Sequence, residues 1–473
     1  MYEDAYQWQL MENVFDGLVR FDPDLNVTPG LAQSWTVSPD GLTFSFDLKP
    51  NARFHNGRPV TPADVVYSYV RAARSTTGIA KEYFAHVAGA QAVIEGKSTT
   101  ISGLQIEGPH QLTIRLSHSY APFLATLATP PFRVVPREEV ESRGTAFSRQ
   151  PIGSGPFRVR QWRPDNVLEL EPFEDYPGGR PYLDSVEVHF GNWEDEVEPF
   201  LRGELDRALI ARTDAARLPH GTPVVQRLEL GTTCLGLNLG VKPLDDDRVR
   251  RAIALSLDRS EMVAAADRIA VASRGVVPEG IAGGGPHAFA PDRDLAAARQ
   301  LLAAAGHPEG RAIPALDFWA NRSNPSVRAV AAAVARNLGE IGVHVRERTS
   351  SWAQFLDAVD SRTAPIYLLT WVADTPDRDS YLGILFHSRG TSNYLHYSDP
   401  QVDRLLEHAR EERDPTARIR LYGEAEERIG AANVLIPLFS QANAYAVKPG
   451  LEGFTLDSFG NTDWRRLWWS APH

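Results

Sequence analysis

Arg322, Trp352, Trp371 and Asp374 are side chains suited to holding a small charged solute. A carboxylate such as Asp374 takes an ammonium group through a charge-assisted hydrogen bond. A guanidinium such as Arg322 takes a carboxylate as a planar fork. The indoles of Trp352 and Trp371 offer large rigid surfaces to an apolar body. Burying an ammonium or a carboxylate unpaired costs several kcal/mol, so a site for a zwitterion needs groups of both signs.

The stretch that carries these residues gives each a place. Ala315–Ala320 reads as a strand. Asn324 and Pro325, a cap and a first-turn proline, open a helix through Leu338, with Gly339 and Gly342 at its end. Val343–Thr349 is a second strand, Trp352–Val359 a second helix and Ile366–Trp371 a third strand. A β-α-β-α-β order predicts parallel strands joined by right-handed crossovers. In an open α/β sheet the carboxyl ends of such strands border the ligand crevice. The order therefore brings the four residues to one sheet edge. The main chain of Val372 and Ala373 lies beside them, where a peptide backbone can join as an added strand. The same four residues also read as a surface ion pair with two core tryptophans, and such pairs contribute little.

The chain around this segment has 473 residues, enough for two or three domains. Its formal net charge of -11 argues against a nucleic-acid groove or a polybasic membrane patch. No apolar run approaches the roughly 18 residues of a membrane span. Cys234 is the single cysteine, so no intrachain disulfide and no multi-cysteine metal site can form. The start, MYEDAYQWQL, has neither the basic nor the apolar region of a signal peptide, and a leader is expected to be absent from this chain.

Other motifs fail on inspection. Gly96-Lys97-Ser98 ends like a phosphate loop, but Gln91 stands where that loop needs glycine. Gly153-Ser154-Gly155-Pro156-Phe157-Arg158 ends in arginine where a dinucleotide fingerprint needs a small residue. There is no G-x-S-x-G elbow and no H-E-x-x-H, and His387 and His396 are nine residues apart on an expected loop. Neither a catalytic constellation nor a cofactor or metal site is expected. Elsewhere, Leu42–Leu48 and Leu112–Leu116 alternate as half-buried strands, and Thr61 with Pro62 opens a helix.

Phrases in a fixed order resemble the family 5 solute-binding proteins of ABC importers, the oligopeptide, dipeptide and nickel group. They are Val14–Asp22 (VFDGLVRFD), Leu31–Trp35, Leu48–Gly57 with Thr61–Ser68, Pro151–Phe157, Leu244–Arg259, Trp371–Leu382 and Ile436–Phe454. The resemblance implies an α/β, two-lobed periplasmic-binding-protein-like fold of type II, class C, with an extra mixed α/β subdomain. It implies lobe I from residues 1–15, 150–240 and 443–473, subdomain II from 16–149, and lobe III from 241–442. It also implies capture of a small peptide or peptide-like zwitterion by hinge closure and delivery to an ABC permease with its ATPase subunits, by an extracytoplasmic, periplasmic or lipid-anchored monomer. Asp374 matches the aspartate that takes the ligand's α-ammonium, Trp352 the pocket tryptophan, and Arg322 lies next to the carboxylate anchor of dipeptide binders. Val359 and Leu368 stand where oligopeptide binders carry arginines. Asn393 and Tyr394 are expected at the rim, with Tyr6, Trp8 and Thr233 facing them from the other lobe. Other solutes of the same fold (a metal chelate, an opine-like conjugate or an oligosaccharide) and a ligand-sensing regulator are the alternatives.

Overall fold

The computed structural model describes residues 5–75, 78–164, 166–190, 195–284, 290–321 and 325–470. By its internal contacts the chain forms two compact units. Unit 1 comprises Met1–Ile210, Ala216–Arg227 and Tyr445–His473; unit 2 comprises Ala211–Ala215 and Leu228–Ala444.

Unit 1 contains antiparallel sheets whose alternation is visible in the sequence. Thr43–Leu48 buries every second residue and pairs with Ala32–Val37 on one side and Gln111–Arg115 on the other. The helix Pro62–Ala73 starts where expected, and Asp64 accepts from both the amide (2.9 Å) and the hydroxyl (2.8 Å) of Thr61. A second sheet runs Phe157–Arg163, Val167–Pro172, Val186–His189. Its buried face joins Phe157, Leu168 and Leu170 to Val14 near the start of the chain and to Tyr445, Val447, Phe454, Leu456, Trp464 and Leu467 near its end.

Unit 2 is built on a mixed sheet. Its strands are β1 (Gly231–Leu237), β2 (Leu316–Asn321), β3 (Val345–Ser350), β4 (Ile366–Val372) and β5, the 435–444 part of Leu435–Val447. The order across the sheet is β5-β1-β4-β2-β3. β2 is parallel to β3 and β4, and β1 is antiparallel to β4 and β5. Helices α1 (Pro325–Gly339) and α2 (Trp352–Asp360) make the two crossovers. The β-α-β-α-β reading is therefore met, with boundaries moved by one or two residues. Ser351 caps α2, its hydroxyl accepting from the amide of Gln354 at 3.3 Å. Leu235, Leu237, Phe318, Ala320, Ile366 and Leu368 turn one sheet face into the main core. On the other face, the Tyr367 ring lies over Gly236, where any Cβ would come within 2.2 Å of the ring.

Candidate functional site

β4 is paired unequally on its two sides. Toward β1 it is paired along its whole length, from Leu237↔Ile366 to Gly231↔Val372. Toward β2 it is paired only at Phe318↔Ile366 and Trp319↔Tyr367. Among the described residues, the remaining edge from Leu368 to Val372 has no partner strand. Burial falls along the same stretch: Ile366, Tyr367 and Leu368 are buried, while Leu369, Trp371 and Val372 are half-buried and Thr370 is exposed. An unpaired edge with opening side chains is a surface on which another extended chain can pair.

The turn after β4 is held from behind. Trp371 Nε1 donates to the Ser380 carbonyl at 2.7 Å, so the indole's one donor is used and only its ring surface remains for a ligand. Ala373 is buried and its amide donates to the Leu230 carbonyl at 2.9 Å. Asp374 follows, half-buried. The Thr375 and Ser380 hydroxyls meet at 2.6 Å. Then comes α3 (Asp379–Phe386), in which every residue is buried. Three ion pairs tie this segment to α4 (Pro400–Glu411) and α5 (Pro415–Ala432). Arg418 forks onto Asp377 with two bonds of 2.7 Å, Arg410 Nε donates to Asp379 at 2.7 Å, and Arg378 pairs with Glu426 where both side chains are 2% exposed. These anchors escaped the sequence reading. The run Asp377-Arg378-Asp379 was the signal, since three charges at the mouth of an apolar helix need partners.

Glu229 was also missed. The ladder between β1 and β4 ends at Gly231↔Val372, and one bond from the Ala373 amide to the Leu230 carbonyl follows it; Glu229 lies just before that bond in the chain. Glu229 is 7% exposed, and Gln441 Nε2 donates to its Oε2 at 3.0 Å. Tyr381, at the start of α3, donates to the Leu230 carbonyl at 2.6 Å. Burial first, then the charge of Glu229 and to a smaller extent that of Asp374, holds its phenol well above the ordinary range.

The other expected contacts fare unevenly. Trp352 opens α2 as expected, 40% exposed, its ring stacked on Phe355 at 5.4 Å. Arg322 lies outside the described residues, as does the side chain of Tyr6, whose backbone belongs to the helix Ala5–Val14. Trp8 is packed within unit 1, stacked on Phe459 at 5.0 Å and donating to Glu12 at 2.9 Å. Thr233 does not face the site from the other lobe. It belongs to unit 2, in β1, with its hydroxyl 2.8 Å from that of Thr370 in β4. Asn393 is not a rim contact: it is buried, and its amide group donates to the carbonyls of His387 (3.1 Å) and Tyr397 (2.7 Å) to brace its own loop. Tyr394 interacts with Asp360, the last residue of α2, and is felt by Tyr367 near the start of β4. That is the end of the strand opposite to Asp374, so Tyr394 leaves the proposed rim.

Among the described residues there is no cluster of three or more histidine, cysteine or acidic side chains able to hold a metal. Cys234 is buried, and burial raises its thiol far above the usual range, which makes it a packing residue.

Comparison with known proteins adds an independent line. The profile of bacterial extracellular solute-binding proteins, family 5 Middle, matches residues 26–393. The chain is 27% identical over 486 aligned positions to the probable di/tripeptide-binding protein 5 of Pseudomonas aeruginosa, covering 95% of this chain and 89% of that protein. It is 26% identical to the glutathione-binding protein GsiB of Salmonella typhimurium, covering 95% and 88%. Among solved structures, the Escherichia coli murein tripeptide binding protein MppA superposes with a TM-score of 0.85 at 25% identity, over 98% of this chain and 94% of that one. The fold is thus the two-lobed α/β architecture with a mixed sheet.

Proposed function

Since the chain belongs to the bacterial extracellular solute-binding proteins of family 5, we propose that it is the substrate-binding component of an ABC importer, capturing a short peptide or peptide-like zwitterion. The observation that carries this reading is the Leu368–Val372 edge of β4, which has no partner strand on its β2 side among the described residues and runs up to Asp374. Backbone amides and carbonyls on that edge take the peptide main chain as an added strand, which is indifferent to side-chain identity. Asp374 receives the α-ammonium by a charge-assisted bond. The rings of Trp371 and Trp352 cover the first side chains. Arg322 takes the ligand carboxylate.

The names of the relatives support a peptide rather than a sugar, because di/tripeptides and glutathione carry the ammonium and carboxylate that this set of groups would pair. The protein works outside the cytoplasm as a monomer, free in the periplasm or held to the surface by lipid. It closes on its ligand by hinge motion, and a permease that recognises the liganded conformer then draws the peptide onward. The reading calls for no catalytic group. Calorimetry with trialanine tests it. Asp374→Asn should weaken binding at least about 100-fold, on the scale of a desolvated, hydrogen-bonded charge pair losing one partner, while the thermal transition stays in place. Unchanged affinity in the variant rejects the role of Asp374.

A further inference from the structure

Unit 1 carries a pair of histidines that the peptide reading does not use. His86 and Ser117 flank the antiparallel bridge Val87↔Leu116. The backbone is fixed there: the Ser117 amide donates to the His86 carbonyl at 2.9 Å, and the Ala88 amide to the Arg115 carbonyl at 2.9 Å. His118 comes next in the chain and is exposed. Its Nε2 lies 2.9 Å from Nδ1 of His86.

Each ring is held in place. The His86 ring stacks on buried Tyr120, with centroids 3.8 Å apart and planes within 4°. Ser117 orients the ring of His118. Its hydroxyl donates to the His86 carbonyl at 3.1 Å, so only its lone pairs remain for His118 Nδ1, 3.0 Å away. This network puts the proton of His118 on Nδ1 and leaves the lone pair of Nε2 directed at His86. A far nitrogen pinned by a hydrogen bond and a near nitrogen left basic are what an imidazole needs to bind a metal ion.

The spacing favours one kind of ion. Imidazole nitrogens bind late divalent metals at about 2.0–2.1 Å, so two such bonds at a right angle set the nitrogens about 2.9 Å apart, and at a tetrahedral angle about 3.3–3.4 Å. The observed 2.9 Å matches the right angle, the preference of Cu(II) and Ni(II), of which Cu(II) binds nitrogen donors more tightly.

We propose that His86 Nδ1 and His118 Nε2 form a surface site for Cu(II), with water in its remaining positions and Ser117 as the residue that positions His118. On binding, the proton between the rings leaves His86 Nδ1, and His86 carries one on Nε2 instead. Both rings ligate as neutral imidazoles, and the neutral pair releases no net proton. The site lies in unit 1, whereas β4 and Asp374 belong to unit 2, and the proposal does not depend on the peptide reading.

The test is calorimetric titration of the whole chain with copper(II) chloride in a buffer that does not bind copper, read alongside electron paramagnetic resonance. A single equivalent should bind and show splitting from two imidazole nitrogens. His118→Gln changes an exposed residue, and His86→Phe keeps a ring on Tyr120. Each should weaken binding at least about 100-fold, since losing a ligand costs no less than losing the partner that orients one. Ser117→Ala should weaken it about tenfold. Absence of stoichiometric binding overturns the proposal. So does copper bound equally well by either histidine variant, because the ion then sits elsewhere.

Discussion

His55 links two separate phrases of the chain, and its titration can be worked out from its surroundings. The ring is 9% exposed and packs edge-on to Phe173 at 5.2 Å. Nε2 lies 3.0 Å from the Gly155 carbonyl, to which it must donate, and Nδ1 accepts from the Gly153 amide at 3.2 Å. Both nitrogens are thus committed in the neutral tautomer. Protonating Nδ1 would set two N–H groups against each other. Burial, partly opposed by the Gly155 bond, pushes the pKa down to about 4 from 6.5. A histidine that binds its proton less readily when folded contributes stability above the unfolded pKa. That contribution is lost as pH falls from about 6.5 through about 4. At 1.36 kcal/mol per unit, a gap of about 2.5 units amounts to roughly 3 kcal/mol. The comparison is His55→Gln, whose side-chain amide can accept and donate along similar directions but does not titrate. Urea unfolding at pH 7.5 and at pH 4 should show wild type losing about 3 kcal/mol more than the variant over that interval. Ring-proton resonances should place the titration near 4. If wild type and variant lose stability in parallel, or the ring titrates near 6.5, the reasoning fails.

Two further substitutions probe how the site is supported. Asp377→Ala leaves Arg418 without its fork and frees the turn that carries Asp374. Breaking a largely buried pair should cost about 3 kcal/mol, and calorimetry at a temperature where the variant remains folded should show peptide affinity down about tenfold. Lost stability with intact affinity would mean that the turn holds its shape without the pair. Gly236→Ala drives a methyl into the Tyr367 ring and should lower stability by about 1–3 kcal/mol through overpacking; an unshifted denaturation midpoint would contradict the close approach.

The crossover segment of unit 2 was legible because its signals are local. Asparagine–proline at one helix start, Ser351 with Gln354 at the other, and apolar strands between them need no distant partner to be read. The roles of Thr233, Asn393 and Tyr394 were not legible, for the opposite reason. Thr233 depends on which strand pairs with β4, and that partner lies more than a hundred residues away in sequence. Asn393 looked like a polar loop residue free to meet a ligand, yet its hydrogen bonds are consumed by carbonyls within six positions of it. The ordered phrases indicated the family, but their reason is structural. The phrase around His55 and the one at Pro151–Phe157 meet in space, where the ring of one bonds the backbone of the other. Gly153 and Gly155 are required there because a Cβ on either would run into the Val14 backbone.

The division of the chain bears on the order in which it can fold as it is made. Nearly all of unit 2 is encoded between residues 228 and 444, so its core can form while the ribosome is still working. The core of unit 1 joins Val14, Phe157 and Leu170 to Phe454, Trp464 and Leu467. That core therefore stays incompletely packed until the last thirty or so residues emerge. A core whose first strands wait for the final segment cannot close before the whole chain is released, so the two units reach their packed states at different moments.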